Sequence, residues 1–262
     1  MKHSDGKFEG LGGLNIYYQS WLPEGEASAV LLIAHGFGEH SGRYQNVVEY
    51  FVPREYAIYA LDHRGHGRSE GERVTVGSYD EYVRDLKTFF DHVRAWNPGR
   101  KIFLVGHSMG ASISTVYAAR YQHELDGLIL SGGGIQRGAA PPRPANFDLA
   151  ETLSKDPAVV QAYRDDPLVF HGQPPAGRDS AMAQMREQLP GLVPTITLPI
   201  LVMAGAASPL GDGPRSEALH EAVGSNDKTL KLYPALLHEI FNEPAYPTVL
   251  ADMAAWLEGH SR

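Results

Sequence analysis

Apolar residues in this chain fall into short unbroken runs at 29–34, 57–61, 101–105, 127–130 and 200–203, each rich in Val, Ile, Leu and Ala. Such a run shows no alternation and is too short for a buried helix, which predicts a strand covered on both faces. Between these runs the period changes. Over 79–96, Tyr79, Val83, Leu86, Phe90 and Val93 recur every three or four residues, the spacing of a helix with one apolar stripe. Strands alternating with helices predict a mainly parallel central sheet with helices on both faces. The opening stretch, 8–21, alternates instead and carries Gly10, Gly12 and Gly13 between two short strand-like pieces. It predicts an antiparallel hairpin at the sheet edge, and the glycines mark its turn, since no strand-turn-helix unit surrounds them to make a nucleotide site.

The rhythm breaks between residues 133 and 198, which hold nine of the eighteen prolines. Short amphipathic pieces at 148–153, 158–163 and 180–189 alternate there with Pro-rich turns at 140–144 and 173–175. A structureless connection of that length is unusual inside a compact domain, so a small helical cap is expected at 133–198, inserted into a core formed by 1–132 and 199–262.

Composition narrows the function classes. The 262 residues are 43% hydrophobic and 21% charged, enough for a sizeable core. A formal charge of −8 argues against nucleic acid as a partner, because that binding draws its affinity from clustered Lys and Arg. There is no cysteine, hence no disulfide and no thiolate metal site. The N-terminus lacks an apolar leader core and no run approaches the roughly 18 apolar residues of a membrane span; a soluble cytoplasmic protein is expected.

The candidate chemistry begins at Gly106-His107-Ser108-Met109-Gly110. It matches Gly-x-Ser-x-Gly and lies between the strand-like 102–105 and the helical 111–121, the context in which a tight turn lifts a serine hydroxyl off the sheet as a nucleophile. The following helix N-terminus offers the Met109 N–H to a developing oxyanion. Upstream, the run 29–34 ends in His35-Gly36-Phe37-Gly38, where this kind of site draws its second donor, the Phe37 N–H.

A general base should follow the nucleophile. His123, His171, His220, His238 and His260 qualify by order. Only His238 sits in a loop, after the strand-like 229–233 and before a final helix at 244–259; the others fall at a helix end, in the insert, within a helix at 216–223 or in the tail. An acid that orients the imidazole is expected in the loop after 200–203, whose one carboxylate before Glu217 is Asp212. A second carboxylate-imidazole group, Asp62-His63-Arg64-Gly65-His66-Gly67, has no further cluster to complete a metal shell, and no metal is expected.

At these residues the chain resembles the monoacylglycerol lipases, a group close to the lysophospholipases, over nearly its whole length. The resemblance rests on His35 to Tyr44 (HGFGEHSGRY), Leu61 to Ser69 (LDHRGHGRS), Gly106 to Gly110, Asp166-Pro167-Leu168-Val169, and His238 to Glu243 (HEIFNE). It implies an α/β-hydrolase fold and cofactor-free hydrolysis of single-chain glycerol esters by Ser108 and His238. It also implies oxyanion donors at Phe37 and Met109 and a polar pocket for the glycerol head near Glu39, Arg43, Tyr44 and His107. The family usually has Asp three residues after the glycine of the acid loop. Ser208 stands there in this chain, while many members carry a further acidic residue four positions on, matching Asp212. Either Asp212 serves from an altered loop, or Ser208 or water orients His238; the first is the expectation. Val159, Val160 and Leu168 in the cap are expected to contact the acyl chain. The expected partner is a small-molecule ester, a monoacylglycerol on the resemblance, with transient contact between the cap and a lipid surface. A broad carboxylesterase or lysophospholipase, or a non-catalytic small-molecule binder of the same fold, are the competing readings.

Overall fold

The computed structural model describes residues 1–137, 147–172 and 176–261; the turn expected at 140–144 and that at 173–175 lie outside them. Eight strands form one sheet. In chain order the elements are β1 (Lys2–Glu9), β2 (Asn15–Leu22), β3 (Ala29–Ala34), α1 (Gln45–Phe51), β4 (Tyr56–Leu61), α2 (Asp80–Trp96), β5 (Lys101–His107), α3 (Met109–Tyr121) and β6 (Gly127–Ser131). They continue with α4 (Pro157–Asp165), α5 (Ala176–Leu192), β7 (Ile200–Gly205), α6 (Asp212–Ala222), β8 (Lys228–Tyr233) and α7 (Tyr246–His260).

The strand order is β1-β2-β4-β3-β5-β6-β7-β8, antiparallel for the first two pairings and parallel from β4 onward. The hairpin β1–β2 forms the edge. Strands β3, β4 and β7 are buried along their whole length, as expected of strands with helices on both faces. One side of the sheet packs against α2 and α3 through Leu86, Phe90, Ile113 and Tyr117. The other packs against α1 and α7 through Val47, Phe51, Leu250 and Leu257.

Between β6 and β7 the chain leaves the sheet. The piece expected to be helical at 148–153 is only a single 3-10 turn, Ala150–Thr152. Helix α4 begins with Pro157 in its first turn and Asp156 accepting from the Ala158 N–H at its cap, both standard starts. Helix α5 is longer than its periodic core and ends just after Pro190; its Ala181, Met185 and Leu189 join the main core beside α3. By contrast Ala150, Leu153, Val160, Tyr163 and Val169 form a small cluster of their own.

That satellite is tied to the sheet by backbone. The Thr152 and Leu153 carbonyls accept from the His238 and Glu239 N–H groups at 3.1 and 2.8 Å, and the Phe170 N–H donates to Gly38 O at 2.7 Å. Asp166 pairs with His40 at 2.8 Å, and Arg73 reaches the Leu168 carbonyl at 3.0 Å. Buried Glu243 accepts from the Leu237 N–H on one side and the Lys155 N–H on the other. The segment over the strand ends is therefore fastened to the same loops that carry the candidate chemistry.

Candidate active site

Strand β5 delivers Ser108 to the start of α3 with φ 53° and ψ −113°, a strained conformation for a residue with a side chain. Glycine at the flanking positions is a matter of space. A Cβ on Gly110 would lie 2.0 Å from the Ala34 carbonyl oxygen, and one on Gly106 2.6 Å from the Gly110 oxygen. Small residues there let α3 sit directly on the end of β3. The Ser108 N–H donates to Ser131 O at 2.8 Å, closing the turn onto β6.

The loop after β3 meets the same turn. A Cβ on Gly36 would come within 3.3 Å of Ser108 Cβ, so the Gly36–Phe37 peptide borders the nucleophile directly. Its oxygen accepts from His35 Nδ1–H at 2.7 Å, while His35 Nε2 accepts from the His63 N–H at 2.8 Å; the imidazole thus pins the peptide whose N–H belongs to Phe37. Burial holds His35 down to about 4, so it stays neutral and keeps this tautomer near neutral pH. His63 and His66 pack against it as rings, 4.5 and 5.3 Å between centroids. Asp62 accepts from the Ser41 hydroxyl and the Arg68 N–H, so the Asp62–Gly67 loop is tied to the segments beside it, and its His66 ring packs against Phe37.

His238 reaches Ser108 from the loop after β8. Its Nδ1–H donates to Asp212 Oδ2 at 2.6 Å and its Nε2 accepts from the Ser108 hydroxyl at 2.9 Å. Asp212 is fully buried. Contrary to the expectation that it lies in the loop after 200–203, it is the first residue of α6, which begins four residues ahead of the helix expected at 216–223; Gly211 precedes it with φ 75°. Placing the carboxylate at a helix N-terminus favours its charge. Burial pushes Asp212 upward, but the His238 charge and hydrogen bond, with Arg215 and the Ser208 hydroxyl, outweigh it and hold the group at about 2. Ser208, in the position the resembling family usually fills with Asp, is a buried supporting hydroxyl beside the acid.

The residues expected around the glycerol head form a buried network. Arg43 donates to both Glu239 oxygens at 2.5 and 2.8 Å and to Glu39 at 3.1 Å. Glu39 also accepts from the Gly36 N–H at 2.6 Å and the Tyr44 hydroxyl at 2.9 Å. Burial works to raise Glu239, but the Arg43 charge and hydrogen bonds bring it below its ordinary value; Tyr44 is pushed well up by burial and by Glu39. His107 packs its ring 4.8 Å from that of His238 and pairs with Ser131. Burial and the neighbouring His238 lower it to about 4. Glu239 was not singled out among the candidate contacts from sequence, because only the tertiary fold brings it to Arg43 across 196 positions.

The three residues expected to contact the acyl chain separate. Val160 is spent on the small separate cluster, while Val159 and Leu168 are half-buried. Phe37 lies edge-on to Phe170, 6.3 Å between centroids.

This geometry agrees with what the chain is similar to. The sequence profile of the Hydrolase_4 family, serine aminopeptidase S33, matches residues 25–245. A monoacylglycerol lipase of Mycolicibacterium smegmatis is 38% identical, with 98% of each chain covered. The rat monoglyceride lipase is 32% identical over 94% of this chain and 87% of its own. Among solved structures, a soluble variant of the Saccharomyces cerevisiae monoglyceride lipase with a substrate analogue superposes with a TM-score of 0.83 at 25% identity, over 97% of this chain and 94% of that one. The chain belongs to the Hydrolase_4 family, serine aminopeptidase S33, and has the α/β-hydrolase fold.

Proposed function

We propose that this protein hydrolyses monoacylglycerols through an acyl-enzyme on Ser108. The observation that carries the reading is the continuous hydrogen-bonded chain from Ser108 through His238 to buried Asp212, at 2.9 and 2.6 Å. Ser108 Oγ attacks the ester carbonyl as His238 Nε2 takes its proton, and Asp212 stabilises the imidazolium. The Phe37 and Met109 N–H groups receive the oxyanion. His238 then returns the proton to the departing glycerol oxygen, and water releases the fatty acid by the same steps reversed.

Residues 133–198 act as the cap over a core of 1–132 and 199–262. Val159 and Leu168 set the limit on acyl length, while Val160, buried in the cap's own cluster, holds that cluster together and does not meet the acyl chain. Glu39, Arg43, Tyr44 and His107 form the floor of the head-group site, where a neutral glycerol fits better than a peptide N-terminus. An ammonium group needs a carboxylate with oxygens free to receive it, and here Arg43 already occupies both Glu239 oxygens while Glu39 is taken up by Arg43, the Gly36 N–H and the Tyr44 hydroxyl. The lipases among the relatives support the same choice. No described helix is long and apolar enough to cross a membrane.

The test is glycerol release from 1-monoacylglycerols of stepped chain length, alongside aminoacyl anilides, for the wild type and Ser108→Ala. Wild type should release glycerol, and Ser108→Ala should lose both hydrolysis and fluorophosphonate labelling while keeping its fold. Cleavage of the anilides in preference to the esters, or labelling of another serine, would overturn the proposal.

A further inference from the structure

Asp212 has two oxygens, and only one faces His238. The other, Oδ1, is held by Arg215 Nη2 at 2.5 Å from one turn along α6. Arg215 is itself anchored. Its carbonyl accepts from the Ile135 N–H at 3.1 Å, and a Cβ on Gly134 would lie 2.2 Å from that same oxygen. The neighbouring Ser216 hydroxyl donates to Gly133 O at 2.9 Å. The first turn of α6 is thus locked onto the strand-end segment 132–135, whose Gly132 packs against the His238 ring.

An (i, i+3) Asp–Arg pair on a helix surface is ordinarily worth a few tenths of a kcal/mol and has no consequence for chemistry. This pair differs because the Asp212 side chain is 0% exposed and Arg215 28%. Little solvent screens the guanidinium from the carboxylate or from the imidazole on its far side.

We infer that Arg215 is a positioning residue for the acid: its guanidinium fixes the rotation of the Asp212 carboxylate and offsets part of the charge that His238 feels, and so sets the pH at which the base becomes active. The inference rests on the reading of Asp212 as the acid. Its sign follows from charge. A cation on Asp212 disfavours a second cation on His238, so the base loses its proton at lower pH with Arg215 present than without it. The other charged and titratable groups facing His238 leave this contribution intact. His107, at the end of β5, is neutral above about 4; Glu39, after β3, and Glu239, in the base's own loop, share the single guanidinium of Arg43 and leave one negative charge that is the same in every Arg215 variant; Glu243 is held by Leu237, Ser154 and Lys155.

The experiment follows the acid limb of kcat/KM, and of the rate of fluorophosphonate labelling, from pH 4.5 to 9 for the wild type, Arg215→Gln, Arg215→Met, Arg215→Lys and Asp212→Asn, with circular dichroism to confirm folding. Arg215→Gln and Arg215→Met should move the limb up by about half to one pH unit, while Arg215→Lys, which keeps the charge, stays close to wild type. A purely structural role predicts lower rates or a lower melting temperature with the limb unmoved, and that result overturns the inference. A limb displaced equally by Arg215→Lys does the same, since charge would not be the cause. If Asp212→Asn retains near-normal turnover, the acid is misassigned and the inference falls with it; if Asp212→Asn is crippled while the limb stays fixed in the Arg215 variants, only the role of Arg215 fails. Should Arg215→Met not fold, Arg215→Gln and Arg215→Lys decide the matter alone.

Discussion

Replacing Asp212 by Asn should cripple turnover more completely than a simple loss of charge implies, and the reason lies in the second oxygen. The wild-type carboxylate accepts twice, from His238 Nδ1–H at 2.6 Å and from Arg215 at 2.5 Å. An amide of the same shape accepts with its oxygen and donates with its nitrogen. Arg215 can only donate, so it draws the amide oxygen to itself and leaves the NH2 facing His238 Nδ1. That nitrogen must then accept, the imidazole proton moves to Nε2, and Nε2 can no longer take the proton of Ser108. The wrong tautomer in Ser–His–Asp enzymes costs roughly 10⁴ in kcat, so a fall of about 10³ to 10⁴ is expected, equal to about 4 to 5 kcal/mol of barrier. Steady-state hydrolysis of a soluble p-nitrophenyl ester gives kcat, and labelling at Ser108 reports the nucleophile independently of deacylation. The same logic makes a sharper forecast for the double variant Asp212→Asn with Arg215→Met. With the competing donor removed, the amide can turn its oxygen to His238, and about tenfold of the lost rate should return, on the scale of one net hydrogen bond. Near-normal turnover in a folded Asp212→Asn protein would refute the argument outright, and a double variant no faster than Asp212→Asn would refute the tautomer account.

Three further outcomes test the surroundings. Ser208→Ala removes one supporting hydroxyl from Asp212 while His238 and Arg215 remain, so kcat should drop by about tenfold or less; a loss as large as that of Asp212→Asn would move the acid's role toward Ser208. Val159→Phe or Leu168→Phe should shift the chain-length profile of monoacylglycerol hydrolysis toward shorter acyl groups, since both side chains are half-buried. Val160→Phe should instead lower the melting temperature through overpacking of the Leu153–Tyr163–Val169 cluster. An unchanged profile in the first two variants removes them from the acyl site.

Much of the architecture was already legible in the chain, for reasons that are local. Unbroken apolar runs such as 29–34 and 200–203 have no amphipathic solution except a strand with both faces covered, and they became β3 and β7. The Gly-x-Ser-x-Gly turn requires only five residues and its two flanking elements, so the place of Ser108 between β5 and α3 could be read directly. Short helices and caps were less visible. Helix α1 carries little periodic signal in its seven residues, and the piece at 148–153 formed just one 3-10 turn, because its shape is set by bonds to His238 and Glu239 rather than by its own pattern. The acid shows the same division. Sequence limited the choice to a carboxylate in one stretch, but the start of a helix depends on what its first turn can pack against. Here α6 begins at Asp212 because segment 132–135 receives Arg215 and Ser216, which turns a residue expected in a loop into a buried one. The pairing of Arg43 with Glu239 and the grip of Arg215 on Asp212 lie beyond any local reading. A charged side chain shows no periodicity that names its partner, and only the three-dimensional approach of distant segments, out of reach of water, decides which charges meet.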